Sequence, residues 1–259
     1  MNKGLTITLI ILLSIFTLLL SAVLVVLVKK DFRFSQFSFG EKISSTLVDE
    51  KEITNIKDIN VETDVADIKV EPRDISNIKV ELYSDNVKEH EITEEENDIK
   101  VVFKSEKRNS FGFGRTAPYI KIYVPKTYDK NLDVNSRVGD IKVGELESAT
   151  LKVKSDVGDV KVENILDATI KTRVGDIKIE KINNYLSLNT KTGDIKIGNA
   201  SIKKSSKIKT NVGDIRINKT NGCYIDATSN VGDKSINQND RKSDIVLEIK
   251  SNVGDIDIN

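Results

Sequence analysis

The sequence predicts an all-β fold, a β-solenoid of stacked parallel coils with Gly-Asp corners, preceded by one N-terminal transmembrane helix. Three observations carry this: a long uncharged apolar run at the start, a short motif that recurs in register, and period-two alternation around every copy of it.

Leu5 to Val28 contains no charged residue, and its polar members are Thr6, Thr8, Ser14, Thr17 and Ser21. As a helix it would extend roughly 36 Å, enough to cross a bilayer. The run continues through Leu24-Val25-Val26-Leu27-Val28 without small residues of the cleavage-site kind, and no lipobox-type cysteine follows. An uncleaved anchor over 1–30 is therefore expected rather than a removed signal peptide. Two arguments bear on orientation. Lys29, Lys30 and Arg33 after the run outnumber Lys3 and the α-amine before it, which by charge would keep the following part cytoplasmic. A very short basic tail followed at once by an apolar run has the form of an export signal. The second argument weighs more, so the expected location is the cell membrane, with the β-domain extracytoplasmic. Residues 31–55 read as a juxtamembrane linker.

The tetrapeptide Val-Gly-Asp-Ile, with small variations, recurs seven times across 131–259. Its corner residues are Gly139 and Asp140, Gly158 and Asp159, Gly175 and Asp176, Gly193 and Asp194, Gly213 and Asp214, Gly232 and Asp233, and Gly254 and Asp255. Five residues before each glycine stand Val134, Val153, Ile170, Leu188, Ile208, Ala227 and Ile249. Three before stand Ser136, Ser155, Thr172, Thr190, Thr210, Ser229 and Ser251; four after stand Val143, Val162, Ile179, Ile197, Ile217, Ile236 and Ile258. Most residues between them are polar, the mark of strands with one buried face. The inward parity flips at Gly-Asp, so two successive residues point outward there, which requires a bend or bulge. Glycine supplies positive φ, and aspartate bonds nearby backbone N–H groups. One repeat would extend roughly 60 Å in strand geometry, about one lap of a narrow coil. Such laps bury their apolar faces by stacking through parallel ladders. The rival arrangement is an antiparallel meander or sandwich.

The stretch 56–130 is a less regular version. Val65-Ala66-Asp67-Ile68 repeats the motif with alanine for glycine, and strand-like runs follow at Asn77–Tyr83, Asp98–Lys104 and Tyr119–Val124. Residues 105–118 contain Ser110-Phe111-Gly112-Phe113-Gly114-Arg115, read as a hairpin or contact loop because no phosphate-binding Gly-Lys-Ser/Thr follows. The acidic run around Glu89, Glu91, Glu94, Glu95, Glu96 and Asp98 reads as a solvated loop.

Composition removes several functions. Lys+Arg and Asp+Glu are both 40, so the basic excess that nucleic acid requires is lacking. His90 and Cys223 stand alone of their kinds, leaving little for nucleophilic triads or histidine- and cysteine-bound zinc. Aromatics are 5% and tryptophan is absent, which argues against stacked-aromatic platforms. No catalytic residue, metal or cofactor is expected. The aspartates are read as a corner ladder, with Lys142, Lys161, Lys178, Lys196 and Arg216 neutralising them from the same face. Calcium is the alternative, although the form G-G-x-G-x-D is missing. The Ser/Thr row is read as inward, bonding backbone at the corner, and Cys223 as a buried thiol.

Ile120-Lys121-Ile122-Tyr123-Val124-Pro125-Lys126, followed by Leu132-Asp133-Val134-Asn135-Ser136 and the Gly-Asp-Ile copies, resembles the DUF4097 family over 56–259. The pattern departs at Ala66, Thr192 and Lys234, the last placing a charge where isoleucine is expected. The resemblance implies an adhesin-like domain of the bacterial cell envelope, including LiaG-like proteins with one membrane span and an extracytoplasmic β-repeat, some of them tied to envelope stress. Three functions then stand as expectations. One is non-catalytic binding of an envelope protein, wall polymer or membrane-active peptide. Another is a scaffold or sensor accessory that oligomerises through the solenoid ends, since Asn259 follows the inward Ile258 with no cap. The last is a solenoid polysaccharide lyase or hydrolase.

Overall fold

The computed structural model describes residues 46–84, 87–105, 118–237 and 240–259, so the predicted span at 5–28 and most of the loop at 105–118 lie outside the described residues. The described residues form strands and no helix. The irregular part supplies β1 (Leu47–Ile53), β2 (Asp58–Val65), β3 (Asp67–Arg73), β4 (Ile78–Tyr83), β5 (Val87–Glu94), β6 (Asp98–Ser105) and β7 (Tyr119–Pro125). The repeats supply β8 (Asn131–Val138), β9 (Ile141–Val157), β10 (Val160–Val174), β11 (Ile177–Thr192), β12 (Ile195–Ser201) and β13 (Ser206–Val212). They end with β14 (Ile215–Asn221), β15 (Tyr224–Val231), β16 (Lys234–Ile236), β17 (Val246–Val253) and β18 (Ile256–Ile258).

Two parallel ladders run the length of the stack. The strands leading into the corners pair in the order β6, β2, β8, the second half of β9, then the second halves of β10 and β11, then β13, β17 and β15. The strands leaving the corners pair in the order β7, β3, the starts of β9, β10 and β11, then β12, β14, β18 and β16. Identical positions of successive laps meet, as at Ile170, Leu188 and Ile208. The aliphatics at these positions fill the interior in register: Val134, Val153, Ile170, Leu188, Ile208 and Ile249 are all at most 1% exposed. Parallel strands buried this way gain their stability from side-chain columns and evenly spaced ladder bonds.

At both ends, stacking order departs from chain order. The lap β2–β3 lies between β6/β7 and β8/β9, and the lap β17–β18 lies between β13/β14 and β15/β16. Lys234 explains the second exchange. The residues two after the other six Gly-motif glycines are Ile141, Val160, Ile177, Ile195, Ile215 and Ile256, each at most 1% exposed. A lysine there, sandwiched between two laps, would leave an unpaired ammonium in an apolar interior, at a cost of several kcal/mol. Placed outermost, Lys234 is exposed and its Nζ donates to the carbonyl of Ala227 at 3.4 Å. The lap with the charge ends the stack, and a lap complete in aliphatics takes the inner slot. The end that the sequence left without a cap therefore carries a polar lap, a device that discourages strand addition.

The opposite end is closed by antiparallel strands: β5 on β6, β4 on β7, and β1 on β4. Two expectations change here. Residues 47–53 of the expected linker are β1, held by pairing from Leu47↔Tyr83 to Ile53↔Ile78 and by burial of Ile53. The acidic run is largely strand: Glu89, Glu91 and Glu94 lie on β5, while Glu95, Glu96 and Asn97 make the turn into β6. Ile92, buried against the core, holds β5 down while its glutamates face water.

Candidate functional site

The seven corner glycines all have φ between 137° and 147°. A Cβ at Gly175 would lie 2.0 Å from the carbonyl oxygen of Gly158, so close approach as well as conformation requires glycine. Every corner aspartate but that of the outermost lap, Asp233, reads the next lap. Asp140 accepts the backbone N–H of Asp159, Asp159 that of Asp176, Asp176 that of Asp194, and Asp194 that of Asp214, at 2.8–3.0 Å. Asp214 then accepts from Asp255, and Asp255 from Asp233, following the stack rather than the chain. Asp67 accepts from Asp140 below them. Burial pushes the carboxyl groups of Asp67 and Asp176 up, against the lowering effect of those N–H groups. The expected lysine neutralisation reduces to Lys196 on Asp194 at 3.2 Å. Lys142 and Lys178 turn instead to Glu163 and Glu180, and Arg216 to Asp257.

The inward hydroxyl row divides. Thr190, Thr210, Ser229 and Ser251 donate to the carbonyls of Gly175, Gly193, Gly254 and Gly213 at 2.9–3.2 Å. Thr63, Ser136, Ser155 and Thr172 are buried with no partner. Parity also fails just before the glycines. Val138, Val157, Val174, Val212, Val253 and Val231 are 40–63% exposed, although the alternation that turns the residues five and three before each glycine inward would turn the residue one before it inward as well. The pleat alternates only while the chain is extended; the turn begins one residue ahead of the glycine and throws this side chain to the vertex.

Among the described residues a second cluster of interacting polar groups lies on the outward face of β3, β7, β4 and β1. Strand register makes it a grid. Asp67, Tyr119, Tyr83 and Leu47 form one row; Lys69, Lys121, Glu81 and Glu50 the next; Glu71, Tyr123, Lys79 and Glu52 the third. Lys121 Nζ lies 5.7 Å and 5.6 Å from the ring centroids of Tyr83 and Tyr119, and Arg73 lies 5.3 Å over Tyr123. Glu81 accepts Tyr83 Oη at 2.8 Å and pairs with Lys79 at 2.8 Å. Glu71 pairs with Lys69 and, at 2.5 Å, with Arg73.

These contacts fix the charges. Burial pulls the Glu71 and Glu81 carboxyls up, but Lys69 and Arg73 on the first, and Lys79 and Tyr83 on the second, hold them below the ordinary range. Burial and the Glu81 carboxylate push the Tyr83 phenol up to about 12. Tyr119 and Tyr123 are raised, mainly by burial, and Lys79 by Glu81 and Glu50. Across neutral pH these groups keep their protonation, which suits fixed recognition by stacking and charge-assisted hydrogen bonds rather than proton transfer. Composition had argued against an aromatic platform. The signal was the alternation Tyr119-x-Lys121-x-Tyr123 beside Lys79-x-Glu81-x-Tyr83, visible once the two runs are paired.

Other features are plainer. An open groove of about 600 Å³ is lined by Glu145, Glu163, Glu180, Gly198, Asn199 and Asn218. Among the described residues no group of three or more His, Cys, Asp or Glu side chains is placed to hold a metal. His90 is exposed on β5, and Cys223 is buried with its Sγ 3.6 Å from Thr220 Oγ1.

The sequence profile of the Toastrack DUF4097 family matches residues 56–259. The chain belongs to the Toastrack DUF4097 family. A crystal structure of a candidate adhesin from Bacteroides fragilis shares 17% identity with this Toastrack chain, at a TM-score of 0.52, covering 84% of this chain and 99% of that one. A candidate cell adhesion protein from Clostridium sporogenes shares 14% identity at a TM-score of 0.39, covering 82% and 99%. A candidate lipid-binding protein from Parabacteroides distasonis shares 15% at 0.41, covering 82% and 96%. None of the curated proteins matches the Toastrack chain.

Proposed function

We propose that this Toastrack chain is a non-catalytic binding protein of the cell envelope, held in the membrane by residues 5–28 with its β-domain outside the cell. The observation that carries the binding role is the tyrosine and charge grid on β3, β7, β4 and β1. Its side chains are braced by one another, its rings alternate with cations, and its carboxylates stay ionised. A face of this kind suits an extended polar ligand such as a wall polymer or a peptide segment, and an accessory part in envelope-stress sensing follows from such binding. The fold it shares with the candidate adhesin from Bacteroides fragilis is consistent with this reading.

The test has two arms. Protease added to intact cells should digest 46–259 without lysis; protection until lysis, with a control surface protein cleaved, would place the domain inside and end the envelope reading. The full chain in detergent should be retained by isolated cell wall or surface protein, and Tyr83→Ala with Lys121→Ala should reduce retention at least fivefold. Unchanged retention would remove the grid from the function. A second reading, an oligomerising scaffold, is favoured by the exposed valines at the corners.

A further inference from the structure

The corner valines form one continuous column. Val65, Val138, Val157, Val174, Thr192, Val212, Val253 and Val231 are ladder partners in succession, through all the Gly-motif laps. Neighbours above and below cover part of each side chain, and β-branched residues stack well in such columns. That accounts for the shape but not for the chemistry. Thr192 has the same branched shape and fills the same position, so threonine in every lap would pack equally and leave less apolar surface in water. Six Gly-motif laps keep valine, each at least 40% exposed. An aligned apolar feature of this extent marks a contact surface.

The flanks of the column differ in sign. On the side before the corner stand Arg137, Arg173 and Lys191, with Asp156 paired to Arg173 at 3.4 Å and asparagine in the other three laps; on the side after it every Gly-motif lap carries an aspartate, from Asp140 to Asp255. A second copy turned about a two-fold axis parallel to the column meets valine with valine. The same turn sets three cations of each copy against carboxylates of the other, Arg137 against Asp140, Arg173 against Asp176 and Lys191 against Asp194; three further laps set asparagine against aspartate, and Asp156 against Asp159 is the one like-charged pair. Turning the copy end over end instead sets like flank against like. A bilayer would meet the row of aspartates beside the valines, which anionic headgroups repel.

We propose that the valine column is the seam of a side-by-side dimer of this chain, its two columns parallel. A contact one column wide is smaller than the ~1,200 Å² that stable interfaces bury, so the pairing is weak between free molecules. Tethering both copies to one surface raises their effective concentration and favours it, and parallel columns point both chains the same way, as two chains anchored in one membrane need. The seam rests on the anchor reading for this last point alone and is independent of the tyrosine face.

Single-cysteine variants of the full chain in native membranes test it, because Cys223 is buried. On mild oxidation Val138→Cys, Val174→Cys and Val212→Cys should each give a disulfide-linked dimer, since a parallel two-fold seam puts every position opposite itself. Lys178→Cys, on the adjoining face, should not. Adding Val157→Lys should lower the Val174→Cys dimer at least fivefold with the circular dichroism unchanged. Dilution in detergent before oxidation should abolish the crosslink. No ridge dimer at all, a dimer from a single ridge position as an end-over-end pairing would give, or shielding of the cysteines by lipid vesicles without crosslinking would each overturn the proposal.

Discussion

Replacing one corner glycine by alanine should cost this protein most of its stability or little of it, depending on where that lap sits in the stack. At Gly175 the backbone has φ of 147° and the new Cβ would lie 2.0 Å from the Gly158 carbonyl oxygen. Real Cβ atoms essentially never come closer than 3.0 Å and ordinary contact is 3.4–4 Å, so the laps must part by at least about 1 Å. Three bonds span that gap at the corner: Gly158 N–H to Val174 O at 3.0 Å, Val160 N–H to Asp176 O at 2.9 Å, and Asp176 N–H to the Asp159 carboxylate at 2.9 Å. An ångström of opening takes all three beyond hydrogen-bonding length. At about 1 kcal/mol each, plus about 1–3 kcal/mol for backbone strain, Gly175→Ala should lose about 4–6 kcal/mol. That is a large part of the 5–15 kcal/mol typical of whole domains. Gly232 faces a similar clash, 2.3 Å from Gly254 O, but its lap has a neighbour on one side only and can swing outward. Gly232→Ala should therefore cost about 1–2 kcal/mol and fray β15 and β16 alone. Urea titration of the full chain in detergent, followed by circular dichroism, reads the totals. Amide exchange at Val231 and Val174 reads the locality. Equal losses at the two glycines, or less than about 1 kcal/mol at Gly175, would refute the stacking order and the reasoning from it.

Three further outcomes follow from the structure. Ile195→Lys buries an ammonium between Ile177 and Ile215 and should cost several kcal/mol in the same titration, whereas Lys234→Ile, at the equivalent outermost position, should leave stability unchanged or higher and increase self-association in light scattering. Tyr83 should titrate near pH 12 by ultraviolet difference absorbance. Its folded pKa is raised above the unfolded value, so its contribution is complete below pH 10 and is lost as pH rises toward 12, while Glu81, held low, contributes above its ordinary range and loses that as pH falls. Cys223, buried and with its thiol pushed up by burial, should react with an aromatic disulfide reagent only on unfolding, and reaction at the native rate of an exposed thiol would contradict its placement.

The repeats were readable because their constraints are local and repeated. Gly-Asp with a parity change specifies a corner in seven places, and aliphatics five before and four after specify the buried faces. Three things were not readable that way. The valines before the glycines continue the inward alternation on paper but stand where the backbone has already begun to turn, and alternation cannot report a bend's first residue. The antiparallel cap hid in composition: β5 reads as an acidic loop because three of its eight residues are glutamates, two of them flanking the lone histidine, while the buried Ile92 packs it against the core. The tyrosine grid depends on which strands become neighbours, and β3, β4 and β7 are separated in sequence by turns and a long connection. Lys234 did carry its message in the sequence. A charge in an inward position signals that its lap cannot be interior, and so that chain order and stacking order must part.

The exchanged laps also set a timetable for assembly. β15 and β16 are translated before β17 and β18, yet every strand ladder they make is to those later strands. While the ribosome is still working through 237–245, the segment 224–236 has no final berth. It must wait beside the growing stack, or occupy the slot on β13 and β14 and later yield it. Winding from one end, the natural way for a coil to fold, therefore cannot complete this one; its closing step is an insertion, and a delay or error there would strand an unpaired edge on a chain otherwise correctly wound.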